Sequence, residues 1–384
     1  MNLSEKRDRV RYYQGQGLQV VLALEIFQLS RHQYYHSPKV EPDGRPCRPG
    51  RKASTHTLHH QRDGQTSLHP NEKVVAKMRE LQVDDDLRCG YKRMKGQLEL
   101  IGYQINAKKV YRLMRRYDLL LYKARKNDRP YVKQRCAQPL FPLTLLEMDI
   151  KQIWVEEHRR YAFVLTILDT FTRAVLFWEL AYSIRWKEVR RAWEEVIAVH
   201  LQPANLLSKD LVIEVRSDNG PQFIAQKLQT FFKDNHLSQV FTHPYTPQEN
   251  GHVESFHAIL QQAIKYDFFW TLNQLQIRLT VFYEKYNNER IHSAIAHLPP
   301  HIFWQAWEKG LVTRKVNKRR KGIFKLKVPR YQLLQQLDID TLDKLGSWNP
   351  EGVSRSDGDR LDAEFHQHKA NDEETENEVV GAAT

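Results

Sequence analysis

The 384-residue chain is long enough for two or three domains, and its composition, 41% hydrophobic and 27% charged, is typical of a globular protein. Its net charge of +13 favours a polyanionic partner, because lysines and arginines that neutralise phosphates release condensed counterions. Three scattered cysteines argue against a disulfide framework and a structural zinc module, and without an 18-residue apolar run or a leader we expect a cytoplasmic protein with no membrane partner.

Residues 1–37 carry two short helical patterns. The apolar residues of GLQVVLALEIFQ (17–28) have helical spacing, and LSRHQYYHS (29–37) follows after a polar break, with Ser30 placed to cap the second helix. Two short helices across a tight turn are typical of a helix-turn-helix. The same pattern also fits any small helical hairpin, so both interpretations stay open.

Residues 38–70 are rich in Pro, Gly, Ser, Thr and His and have almost no apolar periodicity, which predicts a flexible linker. Four of its histidines could suggest a metal site, but a single thiol lies nearby and no firm scaffold is predicted for them: His56, His59, His60 and His69. We interpret them as part of a polar linker.

Helical patterning returns from residue 71, with apolar residues at three-to-four spacing in 71–82, 90–102 and 106–121. Asn106 is placed to cap the last of these helices, with Val110, Leu113 and Met114 facing inward. Residues 87–136 hold 15 Lys and Arg against 3 acids. A solvated basic face is one interpretation, but this density favours a DNA-binding helical module at 71–136. Its candidate DNA contacts are Lys92, Arg93, Lys108, Lys109, Arg112, Arg115 and Arg116.

Residues 141–310 have the pattern of one α/β domain. Strands are predicted at 143–150, 161–169, 174–181, 211–217 and 238–242, and helices at 184–200, 223–235, 251–268 and 273–289. The first three strands follow one another with short connections, and helices and strands then alternate. This order predicts a mixed five-stranded sheet with helices on both faces.

Two charged segments follow this domain. Residues 311–330 are strongly basic, and IFKLKV (323–328) alternates apolar and basic residues as an exposed strand does. Residues 331–384 reverse the balance, with 13 acids against 4 Lys and Arg. Such a composition predicts a disordered acidic tail.

Three acids of the α/β domain are candidate catalytic and metal-binding residues. Asp149 ends the apolar run LTLLEMDI (143–150), Asp218 lies in RSDNGPQF (216–223), and Glu254 lies in YTPQENGHVES (245–255). Carboxylates that meet from separate elements can bind Mg²⁺, and two such ions can serve an in-line displacement at phosphorus. We therefore expect Asp149 on a first, central strand, Asp218 at the end of a neighbouring strand and Glu254 in the first turns of a helix.

Each acid also has a purely structural interpretation. Asp169 in ILDTFTR ends a strand nearly as well as Asp149 does. The sequence Asp218-Asn219-Gly220-Pro221 is a good turn. Glu254 could be one more surface residue of a helix.

The start of the helix that carries Glu254 is open on the sequence alone. Thr246-Pro247-Gln248-Glu249 resembles a capping box with Pro at the first helical position, whereas Asn250-Gly251 favours a loop there, which we prefer. A helix that begins near Gly251 places Glu254 off the buried stripe. Glu254 then lies next to groups able to contact DNA. The residues that share the helix face of Glu254 are His257, Ala258, Gln261 and Lys265.

From about residue 141 to residue 305, the chain resembles the catalytic core shared by retroviral integrases and bacterial insertion-sequence transposases. The resemblance rests on the segments of the three acids, including their Asp, Asp, 35 residues, Glu spacing, on YAFVLTILDTFTRAVLFWEL (161–180) and on YNNERIHSAIAHLPPHIFW (286–304). Upstream, residues 90–120 and 17–37 resemble the DNA-binding helices and the short helix-turn-helix of one large insertion-sequence class. Two positions depart from the family, since Met148 stands where Thr is frequent and Gln261 where Lys is frequent.

The resemblance implies a multidomain protein, with N-terminal all-α helix-turn-helix modules followed by an α/β ribonuclease-H-like catalytic core. It implies a DDE-type transposase in which Asp149, Asp218 and Glu254 hold Mg²⁺ or Mn²⁺, with two ions expected. The partners would be the DNA ends of the mobile element and target DNA. At least a dimer is expected in the working complex, and the product of an upstream reading frame could be a further partner.

Two other functions use the same residues differently. A DNA-binding regulator derived from a transposase would keep the fold with an idle core, and metal-independent behaviour would favour it. A ribonuclease H or repair nuclease would share the metal chemistry, and cleavage of RNA–DNA hybrids would favour it.

Overall fold

The computed structural model describes most of the chain, namely residues 1–35, 53–61, 64–121, 139–207, 212–242, 250–316 and 322–337. The chain divides into two compact units, residues 1–55 and residues 56–384. The described part of the first unit contains the helices α1 (Leu3–Gly15), α2 (Val20–Ile26) and α3 (Arg31–Tyr35). They enclose a small apolar core of Val10, Ala23, Leu24 and Leu29.

Local capping sets the helix starts in this first unit. Ser30 Oγ accepts the main-chain N–H of Gln33 at 3.1 Å, so the predicted cap of the second helix is confirmed. Helix α1 was not predicted, because it buries a single residue, Val10, and its apolar periodicity is therefore weak. Its start is fixed instead by a capping box between Asn2 and Glu5. The helix-turn-helix interpretation of this unit stays a prediction.

The second unit begins with a small antiparallel sheet of β1 (His56–His60), β2 (Thr66–Pro70) and β3 (Tyr103–Gln104), in the order β2-β1-β3. The prediction of a flexible linker at 38–70 was wrong for β1 and β2, whereas residues 38–52 and 62–63 of that stretch lie outside the described residues. The ring of His59 stacks on that of His69 with centroids 4.6 Å apart. The His69 Nδ1 atom lies 3.0 Å from the Tyr103 hydroxyl, so the histidines pack against one another and against β3.

Three helices accompany this sheet: α4 (Asn71–Val83) and α5 (Tyr91–Leu100) lie between β2 and β3 in the chain, and α6 (Ala107–Arg116) follows β3. Asn106 accepts the main-chain N–H of Lys109 at 2.8 Å, which confirms the predicted cap of α6. The predicted inward residues of α6 are buried as expected: Val110, Leu113 and Met114. The end of the predicted module, residues 122–136, lies outside the described residues.

The central sheet of the second unit has five strands: β4 (Leu145–Val155), β5 (Arg160–Asp169), β6 (Val175–Ala181), β7 (Ile213–Ser217) and β8 (Leu237–Phe241). Their order in space is β6-β5-β4-β7-β8. Strands β4, β5 and β6 pair antiparallel, while β7 runs parallel to both β4 and β8. This mixed sheet confirms the predicted ribonuclease-H-like arrangement.

Helices cover both faces of the central sheet, as predicted. One face packs against α7 (Trp186–Val196), its π-helical continuation (Ile197–Leu201), α8 (Pro221–Ile224) and α9 (Gln226–Asp234). The other face packs against α10 (Gly251–Ala263) and α11 (Leu272–Asn288). Because side chains alternate along a strand, Met148 enters the first core while Glu147 and Asp149 point towards α10.

The last described elements are α12 (Pro300–Glu308), the hairpin of β9 (Val312–Val316) and β10 (Gly322–Leu326), and α13 (Arg330–Gln336). The hairpin contains the strand predicted near residues 323–328. The prediction of a disordered acidic tail was wrong for residues 331–336, which belong to α13 and bury Leu333. The rest of that tail, from residue 338 onwards, lies outside the described residues. Among the helices that the structure describes, none has the length and apolar character needed to span a bilayer.

Ion pairs join the helices α4 to α6 to the domain of the central sheet. The loop after α4 supplies Asp86, whose carboxylate accepts two hydrogen bonds from Arg278 of α11, at 2.8 and 3.0 Å. Lys285 of the same helix lies 2.6 Å from Asp84. Asp86 is 6% exposed, so this contact is shielded from solvent more than a typical surface pair. The basic helices and the central sheet therefore belong to one unit.

Candidate active site

Asp149 lies near the middle of β4, on the side that faces α10. Its Oδ1 atom accepts the main-chain N–H of Ile150 at 2.8 Å, and its Oδ2 atom lies 3.2 Å from Nδ1 of His257. The side chain is 23% exposed. The carboxylate is thus held from two directions and still reaches solvent, as a ligand-binding acid must.

Asp218 follows directly after β7, and the strand register places it beside Asp149. The last parallel pair between β4 and β7 is Glu147 with Arg216, and two residues further along the two strands stand Asp149 and Asp218. Neighbouring strands are about 4.8 Å apart. Asp218 Oδ1 also accepts the main-chain N–H of Gly220 at 3.0 Å, so the predicted turn is present without excluding a role at the site.

Glu254 lies in the first turn of α10, which begins at Gly251. Its side chain is exposed and off the buried stripe of the helix, as expected for that start. The expectation for His257 was wrong, because this residue is 9% exposed and contacts Asp149 instead of facing outward. The segment before the helix, residues 243–249, lies outside the described residues.

The three acids share one electrostatic field. Burial raises the pKa of Asp218, and the negative charge of Asp149 raises it further. Burial also raises the pKa of Glu254, and the negative charges of Asp149 and Glu147 raise it further by smaller amounts. Because Asp149 acts on both other acids, the site concentrates negative charge that a bound cation would neutralise.

The donor set of the site fits a hard divalent cation, since carboxylate oxygens are the ligands that Mg²⁺ and Mn²⁺ prefer. Within the described ranges, however, no three His, Cys, Asp or Glu side chains converge into a ready-made metal-binding group. Strand β4, the end of β7 and the first turn of α10 therefore bring the three acids near one another without forming a complete metal-binding cluster.

A fourth acid, Glu147, was missed by the sequence analysis. It is 1% exposed, and its Oε2 atom accepts the main-chain N–H groups of His252 and Val253 at 2.9 and 2.8 Å. Its Oε1 atom lies 2.8 Å from Nδ1 of His252. Burial raises the pKa of Glu147 to about 7, although the hydrogen bond from Val253 acts to lower this pKa. The signal that could have revealed it is a glutamate two residues before Asp149, on the same face of an otherwise apolar strand.

Asp169, the alternative to Asp149, has a structural role. It is fully buried, and its carboxylate accepts the main-chain N–H groups of Leu143, Phe171 and Thr172 as well as the hydroxyl of Thr172. These bonds hold the turn between β5 and β6. A carboxylate with four donors and no solvent access has no free oxygen for a substrate.

The seven candidate DNA contacts do not share one face. Lys92, Lys108, Arg115 and Arg116 are exposed. The Nζ atom of Lys109 donates to the carbonyl oxygen of His56 at 2.5 Å, which ties it to β1. Arg93 and Arg112 are half-buried, and the charge of Arg93 lowers the pKa of His292.

Comparison with known proteins supports the assignment of this domain. Residues 141–247 and 235–300 match two models of the integrase core domain. The chain is 26% identical over 237 residues to a 31.7 kDa protein of insertion element IS407 from Burkholderia multivorans, a match that covers 61% of this chain and 82% of the relative. It is 25% identical over 239 residues to the protein InsK of insertion sequence element IS150 from Escherichia coli, a match that covers 59% of this chain and 81% of the relative.

Among solved structures, the chain is similar to the catalytic core of HTLV-2 integrase, with 18% identity, a TM-score of 0.31, and coverage of 43% of this chain and 97% of that one. The fold assignment rests on the strand order of the central sheet and not on this likeness. The first matched range contains Asp149 and Asp218, and the second contains Glu254. Residues 141–300 thus match the integrase core domain, and the chain is similar to proteins of insertion sequences, which confirms the predicted resemblance.

Proposed function

We propose that this protein is a DNA transposase that binds the ends of its mobile element, cleaves a DNA strand there and joins the end to a target. The carrying observation is the placement of Asp149 within β4, Asp218 directly after the neighbouring parallel strand β7, and Glu254 in the first turn of α10, inside an integrase core domain. The insertion-element relatives support the choice of DNA as the substrate.

The three acids would hold Mg²⁺ or Mn²⁺, and two ions stay a prediction. Bound there, the ions would supply charge neutralisation and activation of the attacking oxygen at phosphorus. The chain itself contributes position: the β4–β7 register sets Asp149 beside Asp218, and α10 brings Glu254 from the third direction. Such a site works by orientation and electrostatics, with little covalent protein chemistry.

The exposed cations of α5 and α6 would bind terminal DNA through its phosphates, which makes binding sensitive to salt. An oligomer in the working complex follows from the need to bring two element ends to one target. The product of an upstream reading frame and a cytoplasmic location stay predictions. The idle-core regulator draws no support from the site, because all three acids are present and one of them acts electrostatically on the other two.

A strand-nicking and strand-joining assay tests the proposal. DNA that flanks this gene's own locus would be incubated with wild type or Asp218→Asn, in Mg²⁺ or in EDTA. We expect metal-dependent nicking at a repeat boundary that the variant has lost, while its DNA binding is kept. Binding without nicking, equal in both proteins, would contradict the proposal in favour of the idle core, and cleavage restricted to RNA–DNA hybrids would favour a ribonuclease H.

A further inference from the structure

Strand β4 holds the first turn of α10 through three consecutive residues. Glu147 accepts hydrogen bonds from His252 and Val253, and the carbonyl oxygen of Met148 accepts a longer bond, 3.4 Å, from the side-chain amide of Asn250. Asp149, the third residue, lies against His257, one turn further along the helix. The segments through which β4 and α10 contact each other are therefore the same segments that carry Asp149 and Glu254.

Glu147 supplies the capping that α10 lacks on its own. The first N–H groups of a helix have no partner within the helix, and Asn250, the residue at the cap position, accepts no capping hydrogen bond with its side chain. The carboxyl group of Glu147 accepts two of these N–H groups through one oxygen, Oε2. A side chain of β4 thus takes the place of the cap that α10 does not have in its own sequence.

The anchored turn is the one that bears Glu254. The N–H groups that Glu147 accepts belong to the two residues immediately before Glu254, so any movement of this turn moves the Glu254 carboxylate relative to β4. Asp149 is two residues from Glu147 on the same face of the same strand. One side chain thus fixes the distance between two of the three acids.

We propose that Glu147 is a positioning residue that fixes the first turn of α10, and with it Glu254, against the strand that carries Asp149. The inference rests on the proposed role of Glu254 in strand cleavage. Glu147 acts through main-chain groups and contacts no substrate. Its removal would leave the three acids present but misplaced, and a misplacement of about 1 Å can lower a rate by roughly 100-fold.

Three variants test this role. Glu147→Ala removes the anchor, whereas Glu147→Gln keeps a carbonyl oxygen of the same reach, which can still accept the N–H groups of His252 and Val253. Asp169→Asn is the matched control, because Asp169 is also a buried carboxylate that accepts main-chain N–H bonds but contacts only the turn between β5 and β6 and the segment before β4. The three proteins are compared at equal folded fraction, judged by thermal unfolding.

The first readout is amide hydrogen exchange, which needs neither metal nor DNA. In Glu147→Ala the amides of His252 and Val253 should exchange roughly tenfold faster or more than in wild type, because they lose their acceptor. Glu147→Gln should recover most of the protection. Asp169→Asn should leave these amides unchanged and expose Leu143 and Thr172 instead. Wild-type exchange at His252 and Val253 in Glu147→Ala would overturn the anchor.

The second readout is the strand-cleavage rate at saturating DNA. Glu147→Ala should lose roughly 100-fold in rate with unchanged DNA affinity, Glu147→Gln should recover most of the rate, and Asp169→Asn should cleave in proportion to its folded fraction. A loss in Glu147→Ala no larger than in Asp169→Asn would overturn the positioning role. If wild type shows no cleavage that depends on Asp218, the proposed function fails, while the exchange readout still decides whether Glu147 holds the helix.

Discussion

The imidazole of His257 lies 3.2 Å from the carboxylate of Asp149, which links the middle of α10 to the first acid of the site. We predict that His257→Ala lowers the cleavage rate at saturating DNA by about tenfold, because Asp149 loses one of the two contacts that orient it. Single-turnover cleavage measures the effect. Gln262→Ala, an exposed change on the same helix, is the control and should keep the wild-type rate. An equal loss in both variants would assign the effect to the helix and not to the contact.

Divalent cations should stabilise the fold through the same acids. Because the charge of Asp149 raises the pKa of both Asp218 and Glu254, a bound ion relieves their mutual repulsion. At an ion concentration roughly 100 times the Kd, the free energy of unfolding should rise by about 2.7 kcal/mol. Thermal unfolding with Mg²⁺ or Mn²⁺ against EDTA measures this gain. Glu254→Gln should lose most of it, and an undiminished gain in that variant would place the ions elsewhere.

Acid should destabilise the fold through His292. Burial lowers the pKa of His292 from 6.5 to about 3, and the charges of Arg290, Arg173 and Arg93 act in the same direction. Below pH 6.5 the unfolded chain takes up a proton that the folded chain refuses, so the unfolding free energy falls by about 1.4 kcal/mol per pH unit for this residue, down to about pH 3. Above pH 6.5 the contribution is constant.

Other buried groups titrate in the same pH range. The contribution of His292 is therefore measured as the difference in unfolding free energy between wild type and His292→Gln. Glu147, for example, has a raised pKa of about 7 and contributes the opposite slope. Urea unfolding from pH 6.5 to pH 4 should give a shallower slope for the variant, by about 1.4 kcal/mol per pH unit. Parallel curves for the two proteins would show that His292 is protonated in the folded state.

DNA binding by α6 should depend on its exposed arginines more than on Lys109. Replacing Arg115 and Arg116 with Gln should reduce the slope of log affinity against log salt by about 2, because each phosphate contact contributes roughly 1. Lys109→Gln should change the slope less, since its ammonium group donates to the His56 carbonyl oxygen. Titration of end DNA at several salt concentrations measures both. Equal slopes in all three proteins would remove α6 from the DNA interface.

The buried contact between Asp86 and Arg278 should contribute to the stability of the whole second unit. Asp86→Asn weakens a shielded pair and leaves Arg278 less well neutralised, so we predict a loss of about 2–3 kcal/mol in unfolding free energy. Glu194→Gln removes the exposed pair with Arg190 and should leave stability nearly unchanged. Urea unfolding compares the two variants. A two-step transition in Asp86→Asn would show in addition that the basic helices separate from the sheet.

The acids, the strands around them and the Asn106 cap were predictable, because each depends on a local pattern. Apolar runs end at Asp149 and precede Asp218, and an amphipathic helix follows Asn250. The mixed order of the central sheet followed from the sequence of strands and helices along the chain. The three-stranded sheet was not predictable in this way, because β1 pairs with residues more than 40 positions away and carries histidines in place of an apolar alternation.

The residues that position the acids were hidden for a related reason. Glu147 and His257 belong to elements that are separate in sequence, and their roles appear only when α10 packs across β4. A glutamate in an apolar strand and a histidine on a helical face each have many interpretations until the partner is known. Long-range packing decides between them, and local periodicity does not report it.

The ion pairs of Asp84 and Asp86 with α11 should fix the distance between the basic helices and the candidate active site. Because the basic helices are joined to the sheet directly, the reach from α6 to Asp149 does not depend on residues 122–138, which connect them along the chain. We predict that the cleavage position lies a fixed number of base pairs from the DNA sequence that α6 would bind. Lengthening the 122–138 connection with glycine and serine should leave the cleavage position unchanged. If this connection alone joined the basic helices to the sheet, the cleavage positions would instead vary.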